Sequence, residues 1–309
     1  MRKYLVNTTI LAIMACFLWS TAFAGIKIGL PFTEPLNFAG IRFFISGLLI
    51  MPLAGNIRNY FREVRQHIGF ILRLSFFQTF TLYALFYTGI SMVPGAVAAI
   101  IVGASPLFAS LMAHFLMHDD KLSFNKLFSI SFGMVGVIVI ALGRGEFSLG
   151  EGKEFWGMII LIIANLSGNF GNIIIARNTR PISPLVLNSS QILIGGLMLF
   201  LLSIPIEGFE LRIYPLKYYL SLGWLSFLSA AAFSIWFVLL RRPGVKVSYL
   251  NIWKFIIPVF GALLSWWLIP EEEPDVSAVA GMIIIGFSLI ILNFNAVRQY
   301  IIRRRNNHT

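Results

Sequence analysis

Charge is scarce in this sequence. Asp, Glu, Lys and Arg make up 12% of its 309 residues, about half the share of roughly 25% usual in soluble domains. None of the 13 acidic residues falls inside a long apolar run. Such a composition excludes a soluble globular domain. Cysteine is reduced to Cys16, so no disulfide framework exists. HExxH, GxSxG, P-loop and CxxC patterns are all missing, which leaves no catalytic signature and no ATP-driven pumping within the chain. His114, His118, Asp119 and Asp120 have i, i+4 spacing, but without further ligands they read as a solvated helix end. No metal and no cofactor are expected.

What fills the chain is hydrocarbon. Hydrophobic residues are 58% of the total and the mean hydropathy is +0.82. A helix needs roughly 20 apolar residues to cross a bilayer core. Ten such spans are predicted, at 6–30, 35–55, 68–91, 95–117, 125–143, 155–176, 183–206, 216–240, 247–269 and 276–296. Arg2-Lys3, the following apolar stretch and Ala22-Phe23-Ala24 imitate a secretory signal. Its removal would leave nine spans, so the first span is expected to be retained.

Two stretches recur half a chain apart. Shifting Gly103–Leu122 by 152 residues onto Phe255–Pro274 aligns Pro106 with Pro258 and Phe108 with Phe260, and each stretch closes on acids, Asp119-Asp120 and Glu271–Glu273. Pro35-Leu36 aligns likewise with Pro184-Leu185 at an offset of 149, setting Arg42 against Gln191. Five spans per half is an odd number, so the second half enters the membrane from the opposite side and the repeat is inverted. The expected fold is therefore an all-α integral membrane protein of ten transmembrane helices in two inverted five-helix repeats. Residues 1–143 and 155–297 form the repeats, 144–154 an external linker and 298–309 a basic tail. Placing the N-terminus in the cytoplasm collects sixteen of the 24 Lys and Arg residues inside, including Arg303-Arg304-Arg305. Both termini are thus expected to be cytoplasmic. The basic tail reads as a topology signal on an anionic leaflet, not as a nucleic-acid site.

Ionisable groups in hydrocarbon are costly, which makes those inside spans informative. Three lie beyond the first or last turn of a span, Arg42, Arg73 and Lys254, and all are positive. Arg73 lies close enough to an end of its span to snorkel, whereas Arg42 and Lys254 are deeper and are candidates for a substrate cavity. Asn165, Asn169 and Asn172 share one helical face in span six, a pattern that serves either interhelical hydrogen bonding or a cavity wall. Asn251 shares a face with Lys254; Gln78 lies near Tyr83 in span three. Trp19 with Thr21, Trp236 and Gln191 complete the candidate cavity set. Pro106 and Pro258, at mid-span, are candidate bending elements, since proline removes a backbone hydrogen bond.

Together these residues resemble the EamA family of the drug/metabolite transporter superfamily. The resemblance rests on Trp19-Ser20 with Phe23, Arg42-Phe43, Ser105-Pro106-Leu107-Phe108 through Asp120-Lys121-Leu122, and Pro258-Val259-Phe260-Gly261 through Glu271 to Gly281. The usual Trp-Gly of span one is Trp-Ser here, His118-Asp119-Asp120 stands where Gly-Glu is typical, and span six carries asparagines in place of a Trp motif. The resemblance implies alternating-access transport of small metabolites, often export of amino acids and related compounds, across a bacterial inner membrane. The expected partners are a small-molecule substrate and the lipid bilayer, with no nucleic acid. A non-transporting scaffold or receptor subunit is the alternative, and a membrane-embedded enzyme lacks an acid/base constellation to work with.

Overall fold

A computed structural model describes residues 2–93, 98, 101–143, 152–208, 212–268, 276–277 and 279–291. Glu271–Glu273, most of the linker and the basic tail lie outside the described residues, as do the side chains of Trp266 and Trp267. Among the described residues every regular element is helical, as hydrocarbon requires of a chain whose backbone groups must be satisfied within each segment. Helices Arg2–Gly29, Pro35–Ile50, Lys153–Ala176, Pro184–Glu207 and Leu216–Leu240 form spans one, two, six, seven and eight. Span five is Phe124–Gly143, and Val279–Ile291 is the described part of span ten.

Three spans depart from a plain helix. Span three starts at Ile57, not at residue 68, because residues 57–67 form an amphipathic helical extension that ends at a kink with His67 at φ −119, ψ 16. Further along, Phe76–Thr81 is a π-helical turn before the helix resumes at Leu82. Span four is interrupted at Ala104 and restarts as Ser105–Leu116. Span nine is Val247–Ile252, a 3₁₀ turn Trp253–Phe255, then Ile256–Leu268. At the 152-residue offset Ala104 corresponds to Ile256, the residue directly after the turn Trp253–Phe255, so the two halves break equivalent helices at adjacent positions. Each break lies just ahead of its proline, which has no N–H to offer the preceding turn.

The contacts between halves are reciprocal. A Cβ on Gly47 would lie 2.8 Å from Leu193 Cα, and one on Gly196 would lie 2.5 Å from Phe44 N. Shifted by 149 residues, these are one contact seen from each repeat. Spans five and ten repeat the motif, since a Cβ on Gly136 would lie 2.7 Å from Gly281 O and one on Gly281 2.6 Å from Gly136 O. Close backbone approach through small residues is how helices associate where lipid gives no hydrophobic drive between them.

Carboxylates from one half cap helix starts in the other. Glu207, closing span seven, accepts the Leu36 and Asn37 N–H groups at 2.8 Å each, which also shows that spans two and seven run antiparallel. At the opposite end Glu63 accepts the Ser183 N–H at 2.9 Å, where span seven begins. Anionic groups are favoured at such N-termini, where N–H groups are otherwise unpaired.

Candidate functional site

The two deep cations are joined by a strip of aromatic rings. The helix that resumes at Leu82, the 3₁₀ turn and spans one, two and eight supply its members. Arg42, only 4% exposed, lies with its Cζ 4.3 Å from the Phe43 ring centroid and 5.7 Å from that of Tyr83. Phe43 meets Tyr83 at 4.3 Å and Phe233 at 6.4 Å; Phe233 meets Trp19 at 5.4 Å and Trp19 meets Trp236 at 5.0 Å. Lys254 closes the strip, its Nζ 5.1 Å from Trp236 and 5.8 Å from Trp19. Because Lys254 sits in the 3₁₀ turn of span nine, its backbone and side chain both lie where the helix is interrupted.

The electrostatics are one-sided. Arg42 Nε and Nη1 are buried and have no hydrogen-bond partner, and the indole N–H of Trp236 is likewise unpaired. Neither Arg42 nor Lys254 forms an ion pair among the described residues. The pseudo-symmetric position of Arg42 makes the contrast. Gln191 is fully buried, accepts from Thr79 Oγ1 at 2.8 Å and donates to Asn188 Oδ1 at 3.3 Å. One member of the pair is a completed packing residue, and the other holds two free donors.

Amides flank the strip. Gln78, in the π-turn, donates to Asn172 Oδ1 at 3.3 Å; Asn172 donates to Asn251 Oδ1 at 3.4 Å; Asn251 donates to its own helix at Val247 O, 2.9 Å. Spans three, six and nine are thereby linked. The π-turn brings Gln78 against Gly171, where a Cβ would collide with Gln78 Oε1. Asn165 and Asn169 take another part. Asn165 Nδ2 donates to Ile101 O at 2.7 Å, and Asn169 Nδ2 to Ser105 O at 3.3 Å. They brace the break of span four, one donor on each side of Ala104.

Thr21 is turned away. It donates to Leu18 O at 2.8 Å and accepts from the indole of Trp224, a residue 43% exposed on the outer surface. Arg73 is exposed and bonds Gly69 O of its own helix, in keeping with a snorkelling side chain. Asp120 departs from the solvated helix end expected for it. It is fully buried, pairs with Lys126 Nζ at 2.5 Å, and accepts both the N–H and the hydroxyl of Ser248 at the start of span nine. His114 is structural too, its Nδ1 accepting the Leu122 N–H at 3.2 Å. Among the described residues no cluster of His, Cys, Asp and Glu is suited to a metal. Phe233 and Thr79 were not singled out from the sequence. Phe233 lies three residues before Trp236, on the same helical face, and that spacing was its signal.

The EamA-like transporter family model matches residues 7–142 and 155–294, one match for each half. The chain belongs to the EamA-like transporter family. It is a multi-pass membrane transporter of ten helices in two inverted repeats. It is 27% identical over 293 residues to the uncharacterized inner membrane transporter YedA of Escherichia coli strain K12, covering 89% of this chain and 87% of that one. It is 21% identical to the uncharacterized transporter YoaV of Bacillus subtilis, over 93% and 97% of the two chains. To a Chlamydia muridarum protein named as an S-adenosylmethionine/S-adenosylhomocysteine transporter it is 24% identical, over 91% and 90%. The fold matches a crystal structure with a TM-score of 0.79 at 18% identity, covering 95% of this chain and 99% of that one.

Proposed function

We propose that this EamA-like transporter carries small carboxylate-bearing metabolites out of a bacterial cell by alternating access, with its basic end in the cytoplasm. The observation that carries the substrate class is Arg42, 4% exposed with Nε and Nη1 unpartnered. A guanidinium in that state costs several kcal/mol unless an anion completes it, and its planar fork matches a carboxylate in two-point contact. The aromatic strip would hold the apolar part of the solute. The paired breaks in spans four and nine lie at the repeat interface, where transporters of inverted-repeat design place their sites, and rocking of the repeats about it would expose the strip to either side in turn. The orientation rests on the Lys and Arg bias of the short loops, and the outward direction on the export that the family resemblance implies.

Reconstitution into proteoliposomes tests this reading. Radiolabelled organic anions, zwitterions and cations of similar size are offered on each side, to the wild type and to Arg42→Gln. Anion flux that the substitution removes is the expected result. Preferred movement of cations, or unchanged anion flux in Arg42→Gln, overturns it.

A further inference from the structure

Resting on that reading, the charge balance of the strip narrows the substrate further. Two cations sit at its ends, Arg42 against Phe43 and Tyr83, and Lys254 against Trp236 and Trp19. The described carboxylates nearest in kind are committed elsewhere: Glu207 and Glu63 to helix starts, Asp120 to Lys126 and Ser248. Among the described residues neither site cation has a carboxylate counter-charge. Uncompensated positive charge in a low-dielectric interior is expensive, and each such group is completed by whatever anion the ligand brings. A single carboxylate answers one of the two.

We infer that the preferred solute is a dianion, with one acidic group on Arg42, a second on Lys254, and a flat or apolar middle lying along Trp19, Phe233 and Phe43. The same geometry disfavours a free ammonium or sulfonium. Such a group would meet a lysine at one end and an arginine at the other, with no carboxylate in the strip to receive it. Ring faces attract cations weakly, and here they already hold the protein's own. S-adenosylmethionine, the solute named for the Chlamydia relative, carries two cationic groups and would be a poor ligand on this account.

Three para-substituted benzoates isolate the second group while keeping the ring and the first carboxylate constant: terephthalate, 4-methylbenzoate and 4-(aminomethyl)benzoate. Binding to the purified full-length protein in detergent is measured by calorimetry. Terephthalate should bind roughly tenfold or more tightly than 4-methylbenzoate, the gain of one charge-assisted contact, and 4-(aminomethyl)benzoate should bind weakest. Lys254→Gln should bring terephthalate to the level of 4-methylbenzoate, and Lys254→Arg should keep the preference, which separates loss of charge from damage to the fold. Equal binding of terephthalate and 4-methylbenzoate by the wild type, or a preference that survives Lys254→Gln, overturns the inference. If in that case Arg42→Gln still abolishes 4-methylbenzoate binding, the carboxylate reading stands alone; if Arg42→Gln changes nothing, or no benzoate binds, both fall.

Discussion

Asp120 accepts the backbone N–H of Ser248 at 2.8 Å, across 128 residues of sequence. The contact ties the loop after span four to the first turn of span nine, and hence one repeat to the other. Burial alone would raise the pKa of this carboxyl. The Lys126 ammonium and the two Ser248 donors outweigh it and hold the group below the usual carboxylate range. A group with a depressed folded-state pKa stabilises the fold above its unfolded pKa and loses that contribution as pH falls through the folded one. Thermal unfolding in detergent should therefore show full stabilisation at neutral pH and its loss only below the usual carboxylate range. Asp120→Ala leaves Lys126 buried and unpaired, at a cost of about 3 kcal/mol. A loss of stability no larger in Asp120→Ala than in Asp120→Ala with Lys126→Met would show that the ion pair is not the source.

The crossing of spans two and seven sets a second expectation. Gly196 admits no Cβ, since one there would lie 2.5 Å from Phe44 N and 3.0 Å from Gly40 O, both backbone atoms that cannot swing aside. Gly196→Ala should destabilise by about 1–3 kcal/mol, the usual cost of overpacking. Gly223, with nothing within 4 Å of its would-be Cβ, is the matched control. Its alanine variant should be neutral or slightly stabilising, because alanine is the better helix former. Equal melting temperatures for the two variants would remove the close crossing as a determinant of the fold.

Arg42 makes the opposite kind of prediction. An interior charge with two unpartnered nitrogens is a cost to the folded state that only a ligand repays. Arg42→Gln should melt at the same temperature as the wild type or higher while losing anion binding. Loss of stability together with binding would assign the guanidinium to packing.

How much of this was legible beforehand depends on what each feature rests on. Spans are runs of uncharged residues, so they could be read directly, and the predicted span 216–240 coincides with the helix Leu216–Leu240. The extension Ile57–His67 was missed because an amphipathic helix averages to moderate hydropathy. The π-turn at Phe76–Thr81 has no local signature; it exists because Gln78 and Thr79 each find a partner on another span. Asp120 looked solvated since its burial depends on a loop packing beneath a helix whose Ser248 lies 128 residues later. Depth in a span marked the two cations that lie against aromatic rings, Arg42 and Lys254, but it gave no sign that Thr21 bonds Trp224. A position within a span fixes the side of the helix only once its neighbours are known. The three asparagines of span six share a face as expected, but they divide their work. Asn172 joins the amide chain beside the strip, while Asn165 and Asn169 serve the broken helix.

That division bears on the two prolines. Both breaks arise from the same chemistry, but their surroundings differ. Asn165 and Asn169 brace the first at Ile101 O and Ser105 O, whereas the second carries Lys254 itself. Alanine at either position restores the missing N–H and lets the helix close over the gap. Pro106→Ala should then slow flux with little change in ligand affinity, since it stiffens an element outside the aromatic strip. Pro258→Ala should weaken dianion binding as well, because regularising the turn Trp253–Phe255 rotates Lys254 relative to Trp19 and Trp236. Transport rate in proteoliposomes and affinity in detergent, measured on both variants beside their melting temperatures, separate the two effects. Unchanged flux in both would show that the breaks are fixed features of the fold and not its moving parts.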